Sequence, residues 1–256
     1  MPAVTPTLIM GVLGIVLSAP AWVLFIRAAR RLYLFIAAGQ PAPGRTNRPL
    51  RRGVQVLKEV FFHTELMRRP AIAVAHWLVM VGFLIGSLVW FEAYIQTFDP
   101  AGGWPLLSQW SLYHFAEEVL AIGTVLGIGF LFAIRLSTGM RERLSRFYGS
   151  NALSAFFVEG VIFLEGAGML LVKAGKIATY GHASPWADFF TQYLAGLLPA
   201  SPIMVSAFAL FKLLVGMVWL VVVARNLTWG IAWHRFLAFF NIFFQRNPDG
   251  APALGK

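Results

Sequence analysis

Three histidines carry the chemistry that this sequence can do. His63 and His76 lie on one hydrophobic stretch, and His234 lies just past the last one. An ionisable side chain at membrane depth is rare and reads as functional by default. Imidazoles from two facing helices can hold a haem iron between them, as cofactor sites in helical bundles are built. A single histidine at a membrane edge has a plainer use, as an interfacial hydrogen-bonding group. Three of them on facing helices favour the iron. His114, near the outer end of a hydrophobic run, and His182, in a loop, read as polar end residues.

The elements that must position these rings are membrane spans. Of 256 residues, 58% are hydrophobic and 12% charged, against about 25% charged in a soluble domain. That is the composition of an all-α integral membrane protein. There is no cysteine, which excludes thiolate-held Fe–S clusters, disulfides and covalent c-type haem within this chain. The net charge of +10 raises nucleic acid as a partner. The basic residues, however, sit between the hydrophobic runs, which is a topology signal, so lipid is expected and nucleic acid is not. No Lys or Arg occurs in the first 26 residues. A secretory signal needs a basic start, so the N-terminal run reads as a retained helix.

A span needs about 20 mostly apolar residues. Five qualify: Val4 to Ile26; Pro70 to Phe91, running on to Phe98; Ser108 to Ile134; Ala152 to Val172; and Ile203 to Arg225. They predict a five-transmembrane-helix bundle with its termini on opposite sides. The first connection holds Arg27, Arg30, Arg31, Arg45, Arg48, Arg51, Arg52, Lys58, Arg68 and Arg69. The third holds Arg135, Arg141, Arg143 and Arg146, and the C-terminal end holds Arg225, Arg235, Arg246 and Lys256. The second has no basic residue and the fourth only Lys173 and Lys176. By the positive-inside rule the N-terminus is outside and the C-terminus cytoplasmic. Gln40 to Arg52 reads as a loop. Val54 to Met67 reads as a helix that stands at the membrane edge or extends the second span. Trp186 to Leu198 reads as a short interfacial helix. Residues 1–245 form the membrane domain, and 246–256 a polar tail or linker. No internal repeat is visible.

At about 1.5 Å of rise per residue, His63 and His234 fall roughly 43 and 46 Å from the outer surface, and His76 roughly 24 Å. Unbroken helices would therefore pair His63 with His234 on one iron at the cytoplasmic edge. If the last helix bends at Gly230, the pair is His76 with His234, and His63 stands behind. A second haem at His76 has no matching histidine. Lys212 is the nearest ionisable group on the fifth span, about 10 Å higher. Arg68, Arg69 and Arg235 are placed to meet haem propionates through charge-assisted hydrogen bonds, and equally to anchor topology. Glu117, Glu118, Glu159 and Glu165 are costly at membrane depth and are candidates for a proton relay. Each can instead bond a neighbouring helix. Gly82/Gly86 and Gly123/Gly127 are small-residue steps that let a helix or a flat macrocycle approach.

Two stretches, VFFHTELMRRPAIAVAHWLVMVGF and AWHRFLAFFNIFFQRNPDG, carry a family resemblance. They resemble the membrane domain found at the N-terminus of bacterial electron-transfer-flavoprotein dehydrogenase and heterodisulfide-reductase-like Fe–S oxidoreductases. That domain is similar to the cytochrome b (gamma) subunit of respiratory nitrate reductase. The resemblance implies haem ligands at His63, His76 and His234. The family's further ligand, earlier on the last span, has no counterpart, and FALFKLLVGM offers Lys212 there. The implied activity is electron transfer between a cytoplasmic Fe–S or flavoprotein partner and a quinone (menaquinone or ubiquinone) through haem b. Fe–S clusters are implied on the partner only, and Lys212 as a second-site or quinone contact. Two other readings stand beside it: a haem-free anchor that docks a soluble reductase by its basic loops, and an ion-coupled transporter using Lys212 and the intramembrane acids.

Overall fold

The structure, a computed structural model, describes residues 5–137 and 149–251. Val4, Arg141, Arg143, Arg146 and Lys256 lie outside the described residues.

Among the described residues eight α-helices follow one another: α1 (Pro6–Ala37), α2 (Pro49–Val56), α3 (Pro70–Phe98), α4 (Ser111–Ser137), α5 (Ala152–Tyr180), α6 (Thr191–Ala195), α7 (Pro202–Arg225) and α8 (Gly230–Phe243). No strand occurs among the described residues. Helices α1, α3, α4, α5 and α7 are long and apolar enough to cross a membrane, the architecture of a multi-pass membrane protein. Their starts are written in the sequence. Pro stands in the first turn of α1, α3 and α7, where its missing N–H is no loss. The Thr5 and Ser201 hydroxyls accept from Leu8 N–H and Met204 N–H. Asn151 and Ser154 form a reciprocal capping box at α5. Gly181, at φ 74°, ends α5 in the left-handed conformation that suits glycine.

Helix α7 is central and packs on α1, α3 and α5; α4 closes the ring against α3 and α5. Helix α1 meets the bundle with a stripe of small residues, Gly11, Gly14, Ser18, Ala21 and Ala28. Small faces let backbones come close where lipid supplies no hydrophobic drive. The glycines of α3 and α4 serve the same purpose. Gly82 faces Thr124, Gly123 faces Leu78, and a Cβ on Gly127 would stand 2.7 Å from the Ala75 carbonyl. These steps are helix packing and do not line the histidine site.

Several spans run further than the apolar runs predict. Helix α1 continues past Ile26 through Arg27, Arg30 and Arg31 to Ala37. Arginine is a good helix former, and its stem can lie on apolar surface while its head reaches water. Helix α5 continues to Tyr180, so Lys173 and Lys176 are helical and not loop residues. The first connection differs most. Its helix begins at Pro49, inside the expected loop, and ends in a π-helical turn, Leu57–Phe61. The helix expected from Val54 to Met67 is thus broken after Phe61. The interfacial helix shrinks to α6, and α7 stops at Arg225 with a turn before α8.

One buried guanidinium ties this end together. Arg52 donates to Asn47 O, Asn47 Oδ1 and Gly44 O in its own connection, and to Phe243 O and Gln245 O at the end of α8. The segment leading to His63 is thereby fastened to the helix carrying His234.

Candidate functional site

The break after Phe61 sets the geometry. Single π-turns inside helices are uncommon and gather at functional sites. Beyond it His63 takes φ 50°, a left-handed conformation that costs a non-glycine residue about 1–3 kcal/mol and persists only where its surroundings impose it. The surroundings are identifiable. The Trp77 indole N–H donates to Phe61 O at 2.9 Å, holding the turn on α3. Leu66 and Met67 N–H groups both donate to His63 O. The chain then re-enters a helix at Pro70. His63 is therefore folded back toward the bundle and buried.

Its ring orders a second ring. His63 Nδ1 lies 2.6 Å from Val60 O and its Nε2 lies 2.7 Å from His76 Nδ1. A carbonyl only accepts, so the His63 proton is on Nδ1 and Nε2 is the acceptor. Burial holds the His63 pKa below the usual histidine value, against the Val60 bond that raises it, which keeps that ring neutral. His76 must then donate through Nδ1–H, leaving its lone pair on Nε2. His234 Nδ1 lies 2.7 Å from Ile231 O; the same logic puts its lone pair on Nε2. Burial first, then the neighbouring Arg235 and His76, push His234 down to about 4. A second shell that fixes the tautomer of a ligating histidine is the usual companion of a metal site.

The His76 and His234 ring centres are 6.3 Å apart. A metal–imidazole bond of about 2 Å, plus about 1 Å from nitrogen to ring centre, sets two imidazoles on one iron about 6 Å apart. Both rings, with His63, line a cavity of about 450 Å³ whose other walls are mostly apolar, including Met80, Phe83 and Leu131. Cofactor pockets commonly span about 300–1,000 Å³ with few polar groups. Among the described residues no three His, Cys, Asp or Glu side chains converge on a bare metal ion. A site offering two imidazoles and an apolar slot is suited to a metal that brings its own equatorial ligands, and these residues fit haem.

The pairing of His63 with His234 at equal depth does not occur. It assumed two unbroken helices, and both are interrupted: one at Phe62–Arg69, the other between Arg225 and Gly230. The bend at Gly230 brings His234 to His76 and leaves His63 behind His76.

Of the three arginines expected to meet propionates, one lines this cavity. Arg68 is exposed and paired with Glu65, and neither it nor Arg69 lines the cavity. Arg235 does. Its guanidinium stands 5.3 Å over the Phe83 ring, and its buried Nη1 has no hydrogen-bond partner among the described residues. Burial alone lowers it to about 10, still charged at neutral pH. Arg135 also lines the cavity and pairs with Glu159 at 2.7 Å. It had been assigned only to topology, and only its place at the end of an apolar run could have marked it.

The remaining acids divide by role. Glu118 accepts from Phe190 N, Thr191 N and Thr191 Oγ1, and pairs with Lys173 at 2.9 Å. It is a structural buttress for α6, with its acceptors used. Glu159 is held by Arg135. Lys212 is fully buried and donates to Val89 O at 2.8 Å. Val89 is thirteen residues beyond His76, about 20 Å of helix, so Lys212 does not belong to the histidine site. It lines a second cavity of about 430 Å³ at the other end of the bundle, with Glu117. His114 accepts its place there as a polar end residue: its ring bonds Ser108 O and faces Asp188 at 3.5 Å.

Comparison with protein-family models, curated proteins and solved structures finds no match for this chain.

Proposed function

We propose that the chain is a membrane electron-transfer subunit that holds haem b between His76 and His234. It would pass electrons between a cytoplasmic Fe–S or flavoprotein partner and a quinone. The observation that carries this reading is the histidine relay: two rings, each oriented by a hydrogen bond at Nδ1, that line one mostly apolar cavity with their centres 6.3 Å apart.

The bound group supplies reversible one-electron redox chemistry. The protein residues do the rest. His63 fixes the His76 tautomer and Ile231 O fixes that of His234. Arg235 offers an unused, charged donor suited to a propionate. The apolar walls exclude water. The arginine-rich end, read as cytoplasmic by the positive-inside rule, presents a basic surface that steers an acidic partner toward the cavity.

The test is a reduced-minus-oxidised spectrum of protein purified from haem-replete cells. A b-type band is expected, and its loss in both His76→Ala and His234→Ala. A colourless wild-type protein that still retains a soluble reductase would select the anchor reading. An unchanged band in either variant would exclude that residue as a ligand.

A further inference from the structure

The second cavity has a use independent of haem. It runs from the surface to the middle of the bundle, with exposed Gln109 and His182 at one end and buried Lys212 at the other. It lies at the end opposite the arginine cluster. A buried ammonium with one acceptor among the described residues, Val89 O, has two further N–H donors to satisfy. Gln96 is 97% buried, yet its Oε1 has no partner among the described residues. Buried polar groups are ordinarily satisfied, and water is the commonest completion where the space is polar and large enough. Here the space is there.

Titratable groups face the cavity from every helix around it. Helix α3 contributes Glu92, which accepts from the Tyr113 hydroxyl of α4 at 2.5 Å. Helix α4 adds Glu117 and His114, and α5 adds Lys176 and Lys173, the latter neutralised by Glu118 and Asp188. Lys212 comes from α7. Its side chain is admitted by Gly168 of α5, where a Cβ would stand 3.3 Å from Lys212 Cγ. Glu165, one turn from Gly168, lies within electrostatic reach of the same ammonium and has a buried Oε1 without a partner among the described residues.

The cavity is closed toward the histidines. Along α3 the histidine cavity reaches Leu84 and this one begins at Val89, about 7.5 Å further on. Between them the Trp90 indole N–H donates to Lys212 O, and Trp219 packs on Phe83 at 5.9 Å. An aromatic wall of this kind stops water.

We propose that this cavity is a water-filled proton half-channel, leading from the face opposite the arginine cluster to Lys212 and ending there. It exchanges protons with one compartment only and conducts no ions across the membrane.

The chain has no native cysteine, so single-cysteine variants report access directly. In sealed vesicles of known orientation, His182→Cys marks one side and Arg51→Cys the other. A membrane-impermeant cationic thiol reagent is expected to modify Lys212→Cys from the His182 side, at least tenfold faster than Val218→Cys on the outer surface of the same helix. Modification no faster than Val218→Cys, or from the Arg51 side, overturns the proposal. Val89→Cys, at the depth of Lys212 and subject to the same criterion, decides the matter if Lys212→Cys does not fold. The proton part is read by infrared spectroscopy of the wild-type protein. A protonated-carboxyl band should follow the pH on the His182 side alone and shrink in Glu117→Gln. A band that ignores that pH, or follows the other side, refutes it. Neither readout depends on haem.

Discussion

Replacing His63 separates the two roles that histidines play in the cavity. If His76 and His234 hold the iron and His63 only sets the His76 tautomer, His63→Ala must weaken haem binding without abolishing it. Removing a hydrogen-bonding partner behind a metal ligand costs about 10–100-fold in affinity, or about 1.4–2.8 kcal/mol. The structure suggests the upper half of that range. The His63 ring is buried, and its loss strands both Val60 O and the His76 Nδ1–H that steers the His76 ring. The assay is titration of haem into haem-free protein in detergent, followed at the Soret band, for wild type, His63→Ala, His76→Ala and His234→Ala. His63→Gly is the control for the backbone. At φ 50° glycine relieves about 1 kcal/mol of strain, so it should fold more stably than His63→Ala with the same haem affinity. Two results refute the reasoning: a band lost in His63→Ala as completely as in His76→Ala, or an affinity unchanged within twofold.

Three more consequences concern folding. Arg135→Leu leaves the buried Glu159 carboxylate without its partner and should destabilise the protein by about 3 kcal/mol; adding Glu159→Gln should restore most of that in thermal unfolding in detergent. Arg52→Lys cannot reproduce a five-bond fork with one ammonium, so hydrogen exchange should rise together around Gly44–Asn47 and Phe243–Gln245, while a rise confined to one segment would deny that the two are tied. Finally, haem-free protein should lose stability as pH falls. His234 has a usual value of 6.5 and about 4 when folded, so between those values the unfolded chain binds the extra proton and stability rises with pH. It is full above 6.5, and the slope should flatten in His234→Leu when unfolding is followed by tryptophan fluorescence.

The five spans were legible because lipid imposes one rule, a run of apolar residues long enough to cross, and Pro70, Asn151 and Pro202 mark starts by local chemistry alone. The same rule misplaces ends, since arginines after Ile26 and lysines after Val172 continue helices while their charged heads reach polar surroundings. The break at Phe62–Arg69 was not legible. No glycine or proline announces it before Pro70, and the left-handed His63 is imposed by Trp77 and the neighbouring turn, contacts that no local pattern encodes. Depth counting at a fixed rise therefore placed His63 beside His234, when the chain had doubled back to His76.

That doubling back explains why chemistry-bearing residues were easier to find than to pair. Imidazoles and buried charges are conspicuous in a sequence that is 12% charged, so His63, His76, His234, Lys212 and the glutamates all stood out. Their partners did not, because these are mostly backbone carbonyls: Val60 for His63, Ile231 for His234, Val89 for Lys212. A carbonyl is present at every position, so no residue type in the sequence singles out the one that is used. Val60 and Ile231 lie beside the two interruptions, so the carbonyls that set both ring tautomers adjoin the distortion that defeats depth counting. It follows that straightening either turn should damage the site even with every histidine kept. Should an inserted residue between Phe61 and Pro70 leave haem affinity intact, His63 would not be acting through His76 at all.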